Sequence, residues 1–231
     1  MSISIKKFQQ TIWSYYKKHK RSMPWRETRD PYKVLISEVM LQQTQVERVI
    51  PKYNIFIKKF PTGEKLAKAP LFEVLKVWLG LGYNRRALLS KRAAETLVSK
   101  YGGQIPADPE LLDELPGIGE ATAGAICVYA FNQKVIFVET NVRTVFIHFF
   151  FSKTKRKISD EEIAKLVGET LPKKVRPFSR SKVEPFSVRE WFYALMDYGA
   201  MLKRARTYAE RTQTNADHKG FVRNERGIFS V

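Results

Sequence analysis

The sequence predicts an all-α protein, on three observations. Apolar residues recur mostly at three- and four-residue spacing, the period of a helix with one buried face. Helix-opening signals stand at the head of these periodic segments, in places a capping side chain followed by the proline that suits a first helical position. No hairpin dipeptide joins two alternating stretches, so no β-hairpin is expected.

In chain order, Ile5, Phe8, Ile12 and Tyr16 form the first apolar stripe. Asp30-Pro31 opens a helix on which Val34, Leu41 and Gln45 share the face of Glu38, with Gln42 one turn further on. Thr62 opens another segment, and Leu88, Leu89, Ala93, Leu97 and Val98 mark a later one closed by Gly102-Gly103. Asp108-Pro109 opens the next. Residues 134–138 are β-branched enough for a strand, but an isolated strand has no partner, so they are expected as extended linker. Ser159-Asp160 opens a helix bearing Ile163, Leu166 and Val167, and Gly199 falls at or near a helix end or kink. Residues 173–187, rich in Pro, Arg, Ser and Lys, are expected as a loop, and the stretch from Arg211 is polar without a clear period.

A chain of 231 residues with 44% hydrophobic and 13% aromatic content can bury a substantial core, as one large domain or two compact lobes. Its formal charge is +18, from 41 Lys and Arg against 23 Asp and Glu, and the basic residues are scattered, so the excess belongs to a folded surface. Ribosomal, membrane-peripheral and merely soluble proteins share such a surface, but nucleic acid is the favoured partner. No segment approaches the ~18 uninterrupted apolar residues of a membrane span. The opening MSISIKKFQQ lacks the apolar centre of a signal peptide. A cytoplasmic, nucleoid-associated protein with no membrane partner is therefore expected. The one cysteine, Cys127, lies between Ile126 and Val128 and reads as a small buried hydrophobe; disulfides within the chain and all-cysteine metal sites are excluded.

Two stretches carry chemistry. In "LISEVMLQQTQ" Glu38 sits inside an apolar run, where desolvation raises a carboxyl pKa and keeps a proton available for general acid catalysis. A Glu reaching solvent from a helix edge fits those residues equally. In "LPGIGEATAGA" two glycines feed a small-residue helix, a candidate phosphate cradle because glycines admit close backbone approach and helix-initial N–H groups face anions. A ligand-free helix cap is the plainer alternative, but the L-P-G-x-G pattern resembles the helix-hairpin-helix that grips a DNA backbone.

"PWRETRDPYKVLISEVMLQQTQVERVIPKY", "LGLGYNRRA", "LPGIGEATAGAI" and "ETNVRTV" occur in the order seen in helix-hairpin-helix DNA glycosylases. Over residues 5–199 the chain resembles most closely the A/G-mismatch adenine glycosylases, the MutY-like branch. That resemblance implies a two-lobed all-α fold: a central bundle over 22–132 with the hairpin, and a second lobe from 1–21 plus 133–231. It also implies double-stranded DNA containing a mismatched or damaged base as partner, bound in the cleft by a monomer.

By the same resemblance Glu38 protonates the departing base. Gln42 and Gln43 enter the duplex near the opposite base, Tyr83 intercalates as a wedge, and Arg85, Arg86, Gly117 and Gly119 contact DNA. Arg26 and Leu41 line the substrate pocket with Ala121, Asn141 and Tyr193. Plainer readings exist: a solvated helix end for the glutamines, a core aromatic for Tyr83, a surface salt bridge for Arg26. Backbone carbonyls of Asp113, Leu115 and Ile118 are expected to hold a monovalent cation, Na+ or K+, as in relatives.

The sequence departs from the family at several points. Glu139, in Glu139-Thr140-Asn141, stands where an Asp stabilises the cationic sugar; the longer arm matters, since a displacement of ~1 Å can cost about a hundredfold in rate. It is expected across the cleft from Glu38, ionised and held by Asn141 or backbone donors, while Glu38 is the more enclosed and protonated. Ala121 replaces the Schiff-base lysine of bifunctional relatives, which implies hydrolysis without efficient strand cleavage. After the helix over 191–202 no cysteines follow, so an iron-sulfur cluster on four thiolates is impossible here. The chain is also expected to end too early for the domain that inspects 8-oxoguanine. Tyr193 replaces a Glu or Gln facing adenine and offers a stacking face and a hydroxyl that suit a pyrimidine as well as a purine. The leading expectation is monofunctional removal of adenine opposite guanine or 8-oxoguanine. A thymine or uracil mismatch glycosylase is the enzymatic alternative, and a non-catalytic binder of distorted DNA the alternative of another class.

Overall fold

The computed structural model describes residues 3–171 and 187–227, with side chains up to residue 207. Within these bounds the regular structure is helical throughout, apart from turns and the extended segment 132–139. The all-α expectation holds. The helices are α1 (Ile5–His19), α2 (Pro31–Leu41), α3 (Val46–Lys59), α4 (Gly63–Lys68), α5 (Leu71–Trp78), α6 (Arg85–Tyr101), α7 (Pro109–Asp113), α8 (Glu120–Phe131), α9 (Thr140–Phe150), α10 (Asp160–Thr170) and α11 (Val188–Gly227), with a single 3-10 turn at Pro24–Arg26.

Local chemistry explains most boundaries. Asp30 accepts from the N–H groups of Tyr32 and Lys33 with Pro31 in the first turn, and Asp108 does the same for Glu110 and Leu111 ahead of Pro109. Ser159 and Glu162 form a reciprocal capping box on α10. Gly102 ends α6 in the left-handed conformation, φ 61°, which a side chain would resist.

Two hydrophobic clusters result. One gathers Trp25, Ile36, Met40, Phe56, Trp78, Leu97, Leu112, Ile126 and Cys127 from the segments between the 3-10 turn and α8. The other gathers Phe8, Ile12, Val34, Val128, Tyr129, Phe146, Ile163, Trp191 and Leu195 from α1, α2 and α8–α11. α2 and α8 contribute to both, so they lie between the lobes. Val34 faces the second cluster, and Glu38, one turn on along the same face, is placed at the junction.

Several details differ from the sequence reading. α2 stops at Leu41, with Gln42 as its C-cap and Gln43 at φ 55°, so Gln42 and Gln45 are not on the helix of Glu38; Gln45 caps α3. Gly199 lies inside α11 and ends nothing. It permits a close approach, because a Cβ there would stand 2.5 Å from the carbonyl oxygen of Asn141. The stretch from Arg211 continues α11 as far as Gly227. The loop expected at 173–187 lies outside the described residues except for Ser187, whose hydroxyl donates to Asn132 Oδ1 at 2.8 Å.

Candidate active site

Glu38 is half-buried on α2, and among the described residues no hydrogen bond reaches its carboxyl. Burial, with the like charge of Glu139 adding to it and Arg26 opposing, pushes its pKa up to about 8. At neutral pH the group therefore carries a proton it can give away.

Glu139 has the opposite surroundings. It is the N-cap of α9, and its Oε1 accepts from the backbone N–H of Asn141 at 2.7 Å and of Val142 at 2.9 Å. Its Oε2 accepts from Asn141 Nδ2 at 3.3 Å. Lys203, one turn beyond Gly199 on α11, adds positive charge. Burial nonetheless leaves the pKa of Glu139 raised as well, against those donors, so both carboxyls move the same way where the sequence suggested a simple division.

Arg26 makes a buried bidentate pair with Asp197: Nη1 to Oδ2 and Nη2 to Oδ1, both 2.9 Å. Asp197 also accepts from the backbone N–H and side chain of Arg21. The salt bridge is thus not a surface one. It presents the Arg26 guanidinium to Tyr193, whose ring centroid lies 4.4 Å from the guanidinium carbon. Tyr129 stacks on Tyr193 at 4.5 Å and 6°. The Arg26 guanidinium and the Tyr129 ring both pack against Tyr193, and Arg189 donates to its hydroxyl. Tyr193 is thus 4% exposed, packed between groups from distant segments.

Two participants escaped the sequence reading. Asp197 carries the signal that marked Glu38, a lone carboxylate in the apolar run Trp191–Met201, but its arginine partner lies far away in the chain. Tyr129 is 2% exposed, and its hydroxyl has no hydrogen-bond partner among the described residues although Glu38, Tyr193 and Glu139 all act on it electrostatically. Nothing in the helical pattern of α8 distinguished it from core.

The other expected residues fall into two groups. Leu41 packs partly buried against the first cluster, Ala121 is exposed in the first turn of α8, and Asn141 braces Glu139. Gln43, Tyr83 and Arg85 are exposed; Gln42 donates to the Gly117 carbonyl at 3.2 Å and to Thr122 Oγ1 at 3.3 Å. Gly117 takes φ 83° and packs on Leu89, where a Cβ would stand 2.8 Å from Leu89 Cβ. Gly119 caps α8 with no side chain, facing open space. The Leu115 carbonyl accepts from the Ile118 N–H at 3.0 Å within this turn, which Asp113 opens at the end of α7.

Arg86 has a structural role within the fold. It is buried, and its guanidinium donates to the carbonyls of Val39, Met40, Gln42, Leu81 and Gly82 and to Thr44 Oγ1. Through Nη1 and Nη2 it clamps these segments of chain together, while its buried Nε has no partner among the described residues. Burial lowers its pKa, but an arginine remains charged.

A carboxyl acid at a lobe junction, a second carboxylate on a helix start and a glycine-rich turn between helices form a recognisable arrangement. Residues 36–173, more than half of the chain, match the HhH-GPD superfamily of base excision DNA repair proteins. The chain belongs to that superfamily. Among HhH-GPD relatives, the adenine DNA glycosylase of Buchnera aphidicola subsp. Baizongia pistaciae is 36% identical over 196 residues, 84% of this chain and 52% of that protein. Human adenine DNA glycosylase is 36% identical over 202 residues, 84% of this chain and 35% of its own length. The chain thus spans about half or less of these curated relatives. A thermostable thymine-DNA glycosylase superposes with TM-score 0.70 and 30% identity over 85% of this chain and 86% of its own. Endonuclease III trapped on DNA shares the fold, TM-score 0.66 at 20% identity.

Proposed function

We propose that this chain is a monofunctional DNA glycosylase of base excision repair, acting on a flipped, mispaired base in double-stranded DNA. What supports the reading is a Glu38 set among apolar neighbours, its pKa pushed up to about 8 by burial and by the charge of Glu139, together with a Glu139 carboxylate bonded to the start of α9. Glu38 donates its proton to a ring nitrogen of the base; the C1′–N bond breaks with its electron pair leaving on the base. The cationic sugar is stabilised by the Glu139 carboxylate, and water adds at C1′, losing a proton to a carboxylate. The exposed Ala121 supplies no amine, so the sugar is released by water and the strand is left uncut.

Adenine opposite guanine or 8-oxoguanine is the first reading for the base, supported by the identity to adenine glycosylases. Thymine or uracil opposite guanine is the second, favoured by the similarity in fold to the thymine-DNA glycosylase. DNA is held as a monomer's ligand by the bare start of α8 and the basic surface. A monovalent cation on the carbonyls of Asp113, Leu115 and Ile118 bridges the hairpin to phosphate. Function on chromosomal DNA places the protein in the cytoplasm, with the nucleoid.

The test is single-turnover excision on duplexes with A:G, A:8-oxoguanine, T:G, U:G and hypoxanthine pairs, by the protein and by Glu38→Gln. One pair is expected to be cleaved, with the variant slower by about a hundredfold or more while binding persists. Duplex binding without excision of any of these bases would leave a binder of distorted DNA. Excision undiminished by Glu38→Gln would remove Glu38 from the acid role.

A further inference from the structure

Leu79 is the most exposed of the large hydrophobic side chains, at 68%, and Tyr83 follows at 64% among the residues near it in sequence. Isolated apolar side chains on a surface are ordinary. These two are not isolated, for they alternate with the buried Leu81 along one five-residue loop. Nor is the loop slack. Gly80 and Gly82 take φ 97° and 77°, and Tyr83 itself takes φ 49°, a left-handed conformation unusual for an aromatic residue. The Gly82 carbonyl accepts from Trp78 Nε1 and Arg86 Nη2, both at 3.2 Å. The Leu81 carbonyl accepts from Thr44 Oγ1 at 3.4 Å and the Gly80 carbonyl from Arg48. A frame this densely bonded holds two large apolar groups out in water and prevents either from folding back.

The surroundings indicate what they meet. Arg48 and Lys52 stand on the Gly80 side of the loop, Lys52 with its Cε 3.5 Å from the position of a Gly80 Cβ, and Arg85 is exposed immediately after Asn84. Cations around projecting apolar groups suit a duplex whose phosphates are contacted while a base step is opened by an inserted side chain. Arg86 ties this loop to the Gln42 carbonyl, and the Gln42 amide reaches Gly117 in the hairpin. Loop, glutamine turn and hairpin therefore form one platform.

We propose that Leu79 is a second apolar wedge, entering the duplex beside Tyr83. The proposal rests on the DNA-glycosylase reading and extends it: two insertions at fixed spacing open the stack on either side of a step. The experiment compares the full chain with Leu79→Ser, Leu79→Met and Tyr83→Ser. Each is titrated onto a duplex carrying the excised pair with 2-aminopurine in a flanking pair, and onto a fully paired duplex. Binding by the parent protein is expected to raise 2-aminopurine fluorescence. Leu79→Ser is expected to lose most of that rise and to bind about tenfold more weakly, with an unchanged melting temperature because the side chain is exposed; Leu79→Met keeps both. If Leu79→Ser binds and unstacks like the parent while Tyr83→Ser does not, Leu79 is a bystander and the proposal is overturned. A change in sedimentation with DNA binding intact would assign Leu79 to a protein contact and overturn it equally. A parent protein that neither prefers the mispaired duplex nor excises any base removes the glycosylase reading and this proposal together, an outcome distinct from a silent Leu79 variant.

Discussion

The starts of α8 and α9 are the same physical object put to opposite uses. Each offers unpaired backbone N–H groups and the positive end of a helix dipole. At α9 the chain fills that end itself, folding the Glu139 carboxylate back onto the N–H groups of Asn141 and Val142. At α8 Gly119 contributes nothing, and the space beside it is open. One helix start thus carries its own anion, whereas the other leaves its N–H groups without a side-chain partner.

Breaking the filled end should have the largest consequence. Glu139→Gln keeps a partial cap but removes the charge, and excision is expected to fall by about a hundredfold or more in single-turnover assays; Glu139→Asp, with the same charge on a shorter arm, is expected to retain part of it. If Glu139→Gln excises normally, the built-in anion serves only the helix.

Glu38, a carboxyl with no donor among the described residues, sharpens the contrast through pH. With its pKa near 8, the folded chain holds a proton that the unfolded chain releases from about 4.5 upward, so stability declines as pH rises between those values. Glu38→Gln escapes this linkage, and its gain in melting temperature over the parent is expected to grow from pH 5 to pH 8. Excision should fall above about pH 8 as the acid empties. A gain independent of pH would mean Glu38 titrates like any surface carboxylate.

Filling the open end is the converse experiment. Gly119→Asp places a carboxylate at the start of α8 in an extended conformation, φ −114°, that accepts a side chain. The melting temperature is expected to rise slightly, while duplex affinity falls about tenfold and the salt slope becomes shallower, measured by fluorescence anisotropy. The smallest effect belongs to the interior of α8. Tyr129→Phe deletes a buried hydroxyl with no partner among the described residues, and stability is expected to stay level or rise by ~1 kcal/mol; a clear loss in a denaturant melt would reveal a bond at that hydroxyl.

What was legible in the sequence is what short stretches determine. Asp30-Pro31, Asp108-Pro109 and the Ser159–Glu162 box act within one turn, so they could be read directly. Glu38 stood out because its apolar neighbours are also its neighbours in sequence. The backbone acceptors of Arg86 were not legible, because they are carbonyls spread from Val39 to Gly82 that only folding gathers. The surroundings of Tyr193 were hidden for the same reason, since Arg26 and Tyr129 approach it from distant segments.

The Arg26–Asp197 pair also fixes an order of events during synthesis. α2 leaves the ribosome early, yet Arg26 finds its carboxylate, and Tyr193 joins Tyr129, only once α11 has been made. Until then Arg26 lacks that carboxylate, and burying its charge unpaired would cost heavily. A nascent chain that stops before α11 can assemble the first cluster, which needs nothing beyond α8 and the linker after it. Such a fragment would carry Glu38 without Asp197 and Tyr193, so the groups that α11 brings to Arg26 and Tyr129 would not be in place.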